Sequence, residues 1–105
     1  MASNTRLEPL VVKLDPAVRE LVPKFIQVSR ERTEALRRHL GAGALDQAAD
    51  LAHTLKGGGG AYGFDEVSRL AAELEHAARA GNVKQSERLT ESMAQYLCRI
   101  QPVYD

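Results

Sequence analysis

Apolar side chains recur at spacings of three and four through most of the chain, the period of a helix that buries one stripe. Val22, Phe25/Ile26, Ser29, Thr33, Leu36 and Leu40 mark one stripe, over about residues 23–40, in which two positions are only weakly polar. Leu45, Ala48, Ala52, Leu55, Gly59 and Tyr62 mark a second, over about 44–62. Val67, Leu70, Ala71, Leu74, Ala77 and Ala78 mark a third, over about 65–80. Leu89, Met93, Tyr96, Leu97 and Ile100 mark the last, which starts at Asn82 with Gln85 three residues on and is ended by Pro102. Gly41-Ala42-Gly43, Gly63 and Gly81 stand where patterns stop, as helix C-terminal caps do. Upstream, Asp15-Pro16 is a helix start signal, and Pro23 interrupts soon afterwards. A short extra helix is therefore expected over about 16–22. Residues 1–14 read as a leader, in which Leu10-Val11-Val12 is either a short extended segment or a flap over the core. No stretch alternates with period two over a useful length, so essentially no sheet is expected. The pattern predicts an all-α fold: an up-and-down four-helix bundle with a short additional N-terminal helix, forming one domain over 15–105.

Composition narrows what such a bundle does. The chain has 105 residues, with 14 Lys+Arg against 14 Asp+Glu. That length suits one domain and excludes a kinase or any large multi-part enzyme. Zero net charge gives no basis for a nucleic-acid binder or a polybasic membrane anchor. No apolar run reaches the roughly 20 residues of a membrane-spanning helix, and the N-terminus lacks a signal-peptide core. Cys98 is the only cysteine and has no internal disulfide partner, which fits a reducing, cytoplasmic setting.

The stretch from His53 to Gly63 breaks the local rules. Gly57-Gly58-Gly59-Gly60 places four glycines inside a helical pattern, at a cost of roughly 1 kcal/mol each relative to alanine. The glycines are either a loop or a helix that needs bare backbone. The stripe that begins at Leu45 keeps its register through Gly59 to Tyr62, which favours a continuous helix. On that helix His53 lies roughly 140° from the centre of the buried arc and faces solvent. Gly57 falls one turn further along nearly the same line, and Gly60 flanks it. The imidazole thus stands on a surface cleared of side chains, with Lys56 as a nearby cation. A nitrogen that attacks a phosphorus atom held in another protein's pocket needs such access, and lysine offsets phosphate charge.

His53-Thr54-Leu55-Lys56-Gly57, with Gly63 ten residues after the histidine, resembles the signature of histidine-containing phosphotransfer (HPt) domains. These are small helical bundles of two-component phosphorelays. Asp15-Pro16, Leu21 to Phe25, and Phe64 to Gly81 with Leu70-Ala71-Ala72-Glu73-Leu74-Glu75 inside it extend the likeness over about residues 14–100. Where the family usually has small hydroxylated residues or alanine after the first glycine, this chain has Gly58 and Gly59. The resemblance implies that His53 is phosphorylated at Nε2 and that Lys56 lies beside the phosphate. It also implies that Gly57 opens the space around the imidazole, with Gly60 beside it, and that Gly63 closes the helix. It implies a phosphocarrier without autokinase activity, which takes its phosphoryl group from an aspartyl-phosphate receiver domain and passes it to a response regulator receiver. A hybrid sensor histidine kinase and a response regulator are then the partners. No cofactor is expected on this chain, the Mg²⁺ belonging to the receiver. The alternative is a non-phosphorylated four-helix adaptor with a degenerate site.

The remaining candidates are weaker. Asp50, three residues before His53, is either a solvated carboxylate or the acceptor that fixes the imidazole tautomer. His39 and His76 read as surface residues, and Arg30, Arg32, Arg37 and Arg38 as a solvated face or a docking patch. Cys98 reads as a small core or boundary residue. The glycine run is not a phosphate-binding P-loop, since Thr54 and Lys56 precede it rather than follow. His53 with Asp46 and Asp50 is the nearest approach to a metal set, and it lacks a second strong ligand.

Overall fold

A computed structural model describes residues 8–105. Its elements run β1 (Leu10–Leu14), a 3-10 turn (Pro16–Val18), α1 (Val22–Gly41), α2 (Leu45–Tyr62), α3 (Asp65–Arg79), α4 (Val83–Arg99) and β2 (Ile100–Tyr104). Residues 1–7 of the leader lie outside the described residues.

The four long helices form where the stripes place them. Val22, Phe25, Ser29, Thr33, Leu36 and Leu40 of α1 are buried, as are Val67, Leu70, Ala71, Leu74, Ala77 and Ala78 of α3. From α4, Leu89, Met93 and Leu97 complete the core. Asn82 caps α4, its Oδ1 accepting the Gln85 N–H at 3.1 Å. Buried threonines in α1 and α4 are satisfied locally, whereas the buried Ser29 hydroxyl has no hydrogen-bond partner. Thr33 and Thr90 donate their hydroxyls to the carbonyls of Ser29 and Ser86, each at 2.8 Å.

Two expectations are corrected at the ends of the chain. No helix spans 16–22. The Asp15 carboxylate accepts the Ala17 N–H at 2.9 Å and closes a single 3-10 turn, Pro16–Val18. Pro23 sits in the first turn of α1, where no N–H is required. The proline thus marks the start of one helix rather than a break between two.

A small sheet is also present. Leu10–Leu14 and Ile100–Tyr104 pair in parallel, with Leu10 opposite Ile100 and Leu14 opposite Tyr104. The segment Leu10-Val11-Val12 is the first part of that strand, so its extended reading holds. Pro102 lies opposite Val12 and lacks an N–H, which a strand with an open edge tolerates. The pairing joins positions about ninety residues apart, and neither strand is long enough to show an alternating pattern. Leu14, 4% exposed, leaves the strand to join the core, with its Cδ2 lying over Gly63 at the end of α2.

Candidate functional site

The glycine run is helical throughout: α2 continues unbroken from Leu45 to Tyr62. Its four glycines differ in the space around them. A Cβ on Gly59 would lie 2.8 Å from the Ser68 amide nitrogen and 3.0 Å from the Phe64 carbonyl oxygen, both backbone atoms of the segment that begins α3. Gly58 faces the ring of Phe25, whose Cε1 would be 3.0 Å from an added Cβ. Phe25 in turn stacks on Phe64, with ring centroids 5.2 Å apart, and tilts against Tyr62 at 5.0 Å. Gly57 has open space around it, and Gly60 meets only the Ser68 hydroxyl oxygen at 3.9 Å. The two glycines beside His53 are the open ones, and the other two let α1 and α3 close on the helix. Ser68 ties α3 to α2 by donating its hydroxyl to the Lys56 carbonyl at 3.0 Å. Gly63 ends α2 at φ 87°, in the left-handed region that favours glycine.

His53 projects from the exposed side of α2, its side chain 63% accessible. Its Nδ1 lies 3.2 Å and 3.3 Å from the two carboxylate oxygens of Glu75 on α3. A carboxylate can only accept, so Nδ1 is the donor, and in the neutral ring the lone pair is then on Nε2. Among the described residues, Nε2 has no hydrogen-bond partner. Glu75 is only 16% exposed and collects three cationic or donor groups. Besides His53, Lys56 Nζ stands 3.2 Å from Oε1, and Arg79 Nη2 stands 3.2 Å from Oε2. Desolvation pushes the Glu75 carboxyl up, but hydrogen bonds from Lys56, His53 and Arg79 outweigh it and hold the group below the usual carboxylate range.

Lys56 and His53 thus meet on one carboxylate, with Gly57 and Gly60 leaving the backbone beyond them bare. Asp50 does not reach the imidazole. It pairs with Arg79 Nη2 at 3.2 Å, and Glu75 takes the place considered for it. Glu75 and Arg79 are the site residues the sequence reading missed. Their signal was modest: Glu75 adjoins the buried Leu74 and lies one turn from Ala71 and Ala78, at the border of the α3 stripe. His76 and His39 lie outside the cluster, and Cys98 is exposed rather than in the core or at its edge. Arg37 pairs with Glu34 and Glu91, and Arg30 donates to the Leu97 carbonyl at 2.9 Å, so half of the arginine run is engaged within the bundle. Among the described residues, no group of three or more His, Cys, Asp and Glu side chains is placed to hold a metal ion, and no helix is long and apolar enough to cross a membrane.

Comparison with known proteins gives one match. The family model of the Hpt domain covers residues 20–101, most of the 105-residue chain. No curated protein and no solved structure matches it. The family's business is histidine phosphotransfer in two-component phosphorelays, exchanged with receiver domains and histidine kinases. The chain belongs to the Hpt domain family.

Proposed function

We propose that His53 is the phosphoryl carrier of this domain, loaded from an aspartyl phosphate on a receiver domain and unloaded onto the receiver of a response regulator. The observation that carries the reading is the pairing of His53 Nδ1 with the carboxylate of Glu75, which leaves Nε2 free beside the open backbone of Gly57. In the forward step the Nε2 lone pair forms the N–P bond as the P–O bond to the aspartyl carboxylate breaks. That carboxylate leaves with the electron pair. No proton moves, because Nδ1 keeps its hydrogen, and the phosphorylated ring carries a positive charge that Glu75 offsets. Lys56 supplies a compact positive charge near the incoming phosphate oxygens. Gly57 and Gly60 let the partner's surface approach the helix backbone. The metal ion and the remaining stabilisation of the transferring group belong to the receiver in this reading, as the general logic of phosphoryl transfer allows. A hybrid sensor kinase is the upstream partner, no nucleic acid or membrane takes part, and the exchange takes place in the cytoplasm.

Incubation with a receiver domain phosphorylated on its aspartate tests the reading. Wild-type protein is expected to take up acid-labile, base-stable label, His53→Gln to take up none, and wild type with ATP and Mg²⁺ alone to take up none. Absence of label on wild type, or equal label on His53→Gln, leaves the domain an adaptor. Label from ATP alone removes the carrier-only reading.

A further inference from the structure

The carrier reading uses His53, Lys56, Glu75 and the open glycines, but leaves Arg79 unexplained. Arg79 lies in the last turn of α3 and reaches two carboxylates on different helices. Its Nη2 stands 3.2 Å from Asp50 Oδ1 on α2 and 3.2 Å from Glu75 Oε2, while its Nε stands 3.4 Å from the same Glu75 oxygen. Asp50 is one turn before His53 on α2, a spacing at which helical side chains are neighbours. Of the two carboxylates that Arg79 holds, only Glu75 bonds to the imidazole. Glu75 Oε1 is already engaged by Lys56 at 3.2 Å, so the orientation of Glu75 depends on what holds its other oxygen. A guanidinium presents several donors in a fixed plane and can hold two acceptors together, whereas an ammonium acts as a point charge.

We infer that Arg79 is a positioning residue for His53. By holding Asp50 and the Oε2 oxygen of Glu75 on one guanidinium, it aims the Glu75 carboxylate at Nδ1. Donating hydrogen bonds to Asp50 first and Glu75 second also raises the Arg79 pKa, which reinforces an already permanent charge. The consequence is a fixed tautomer: Nδ1 is protonated and Nε2 is ready to react before any partner arrives. The inference rests on the carrier reading for its purpose, but its structural content can be measured without phosphate.

The test is the tautomer ratio of His53, read from imidazole ¹⁵N shifts at about pH 8.5, where an ordinary imidazole is neutral. Wild type is expected to favour the Nδ1–H form. Arg79→Gln is expected to shift the ratio toward Nε2–H by about 1.5- to 5-fold, the scale of a solvent-exposed ion pair. Arg69→Gln is the control. It removes an arginine from the same helix that also holds two carboxylates, Glu66 and Glu73, away from the site, and is expected to leave the ratio unchanged. An unchanged ratio in Arg79→Gln, a shift toward Nδ1–H, or an equal shift in Arg69→Gln overturns the inference. The rate of phosphoryl uptake by Arg79→Gln is expected to fall by a similar factor, and an undiminished rate overturns the role in transfer. If wild type takes up no phosphate at all, the carrier reading fails while the tautomer result still decides whether Arg79 positions His53.

Discussion

The glycines between Lys56 and Ala61 differ in how much space surrounds them, so the same substitution has opposite effects along the run. At Gly57 an added side chain meets nothing within 4 Å, and Gly57→Ala is expected to stabilise the helix by about 0.5–1 kcal/mol. At Gly59 the same methyl presses on the backbone of Phe64 and Ser68, and Gly59→Ala is expected to destabilise by about 1–3 kcal/mol. Denaturant titration of the two variants checks the signs, and a Gly57→Ala protein less stable than wild type defeats the assignment. Gly57→Leu should fold like wild type yet slow phosphoryl uptake by crowding the approach to Nε2; uptake at the wild-type rate would assign that glycine some other reason. Glu75 gives a pH signature. Its carboxyl is held below the ordinary value of 4.5, so the stability its pairs add is fully present above that value and lost as pH falls through the lower folded value. The stability difference between wild type and Glu75→Gln is expected to be present at neutral pH and to fade as the solution is acidified below about pH 4.5; a constant difference across that range contradicts it. His53 and Lys56 were legible in the sequence because they share one helix and one local motif. Glu75 and Arg79 were not, because their place beside His53 depends on the register of α3 against α2. That register is set by Gly59 and Ser68 through a close approach that spacing along the chain does not encode.

The long helices were legible because each carries a stripe of three- and four-residue spacing, ended at Gly63 and Gly81 by residues that accept a left-handed turn. The ends of the bundle were not. Asp15-Pro16 is a sound start signal, but Asp15 caps only one 3-10 turn, and the helix it announces begins instead with Pro23 in its first turn. The sheet escaped detection because its two strands of five residues are separated by the whole bundle, and one contains a proline. Such a pair contributes through what it covers. Ile100 and Tyr104 are partly buried against the core, and Leu14 is fully inside it. A chain ended after Arg99 is expected to keep its helical circular dichroism while losing about 1–3 kcal/mol of stability, the worth of partly uncovering these side chains. That loss corresponds to a fall in Tm of roughly 4–8 °C per kcal/mol for a domain of this size. An unchanged Tm would make the strands an ornament of the termini.

At the scale of the whole molecule the charges cancel, with 14 of each sign. Several are paired locally, since Arg37 sits between Glu34 and Glu91, Arg69 between Glu66 and Glu73, and Arg79 between Asp50 and Glu75. Little long-range field remains to draw in a partner, so recognition rests on shape and contact near His53. The association rate with a receiver is expected to change by less than about threefold between roughly 50 and 300 mM salt, in contrast to the steep fall of electrostatically steered pairs. Stopped-flow mixing across that range decides it, and a tenfold fall would point to a charged docking patch. The parallel pairing of β1 with β2 gives the domain a mechanical property as well. Because the strands run the same way, tension applied to the chain ahead of Leu10 and beyond Tyr104 pulls them in opposite directions along their common axis. The evenly spaced ladder bonds of a parallel pair are then loaded together, in shear, rather than peeled apart one at a time. The helix that presents His53 lies behind that clasp, with Gly63 at its end pressed against Leu14. Force transmitted along the chain would meet the clasp before it reached the histidine.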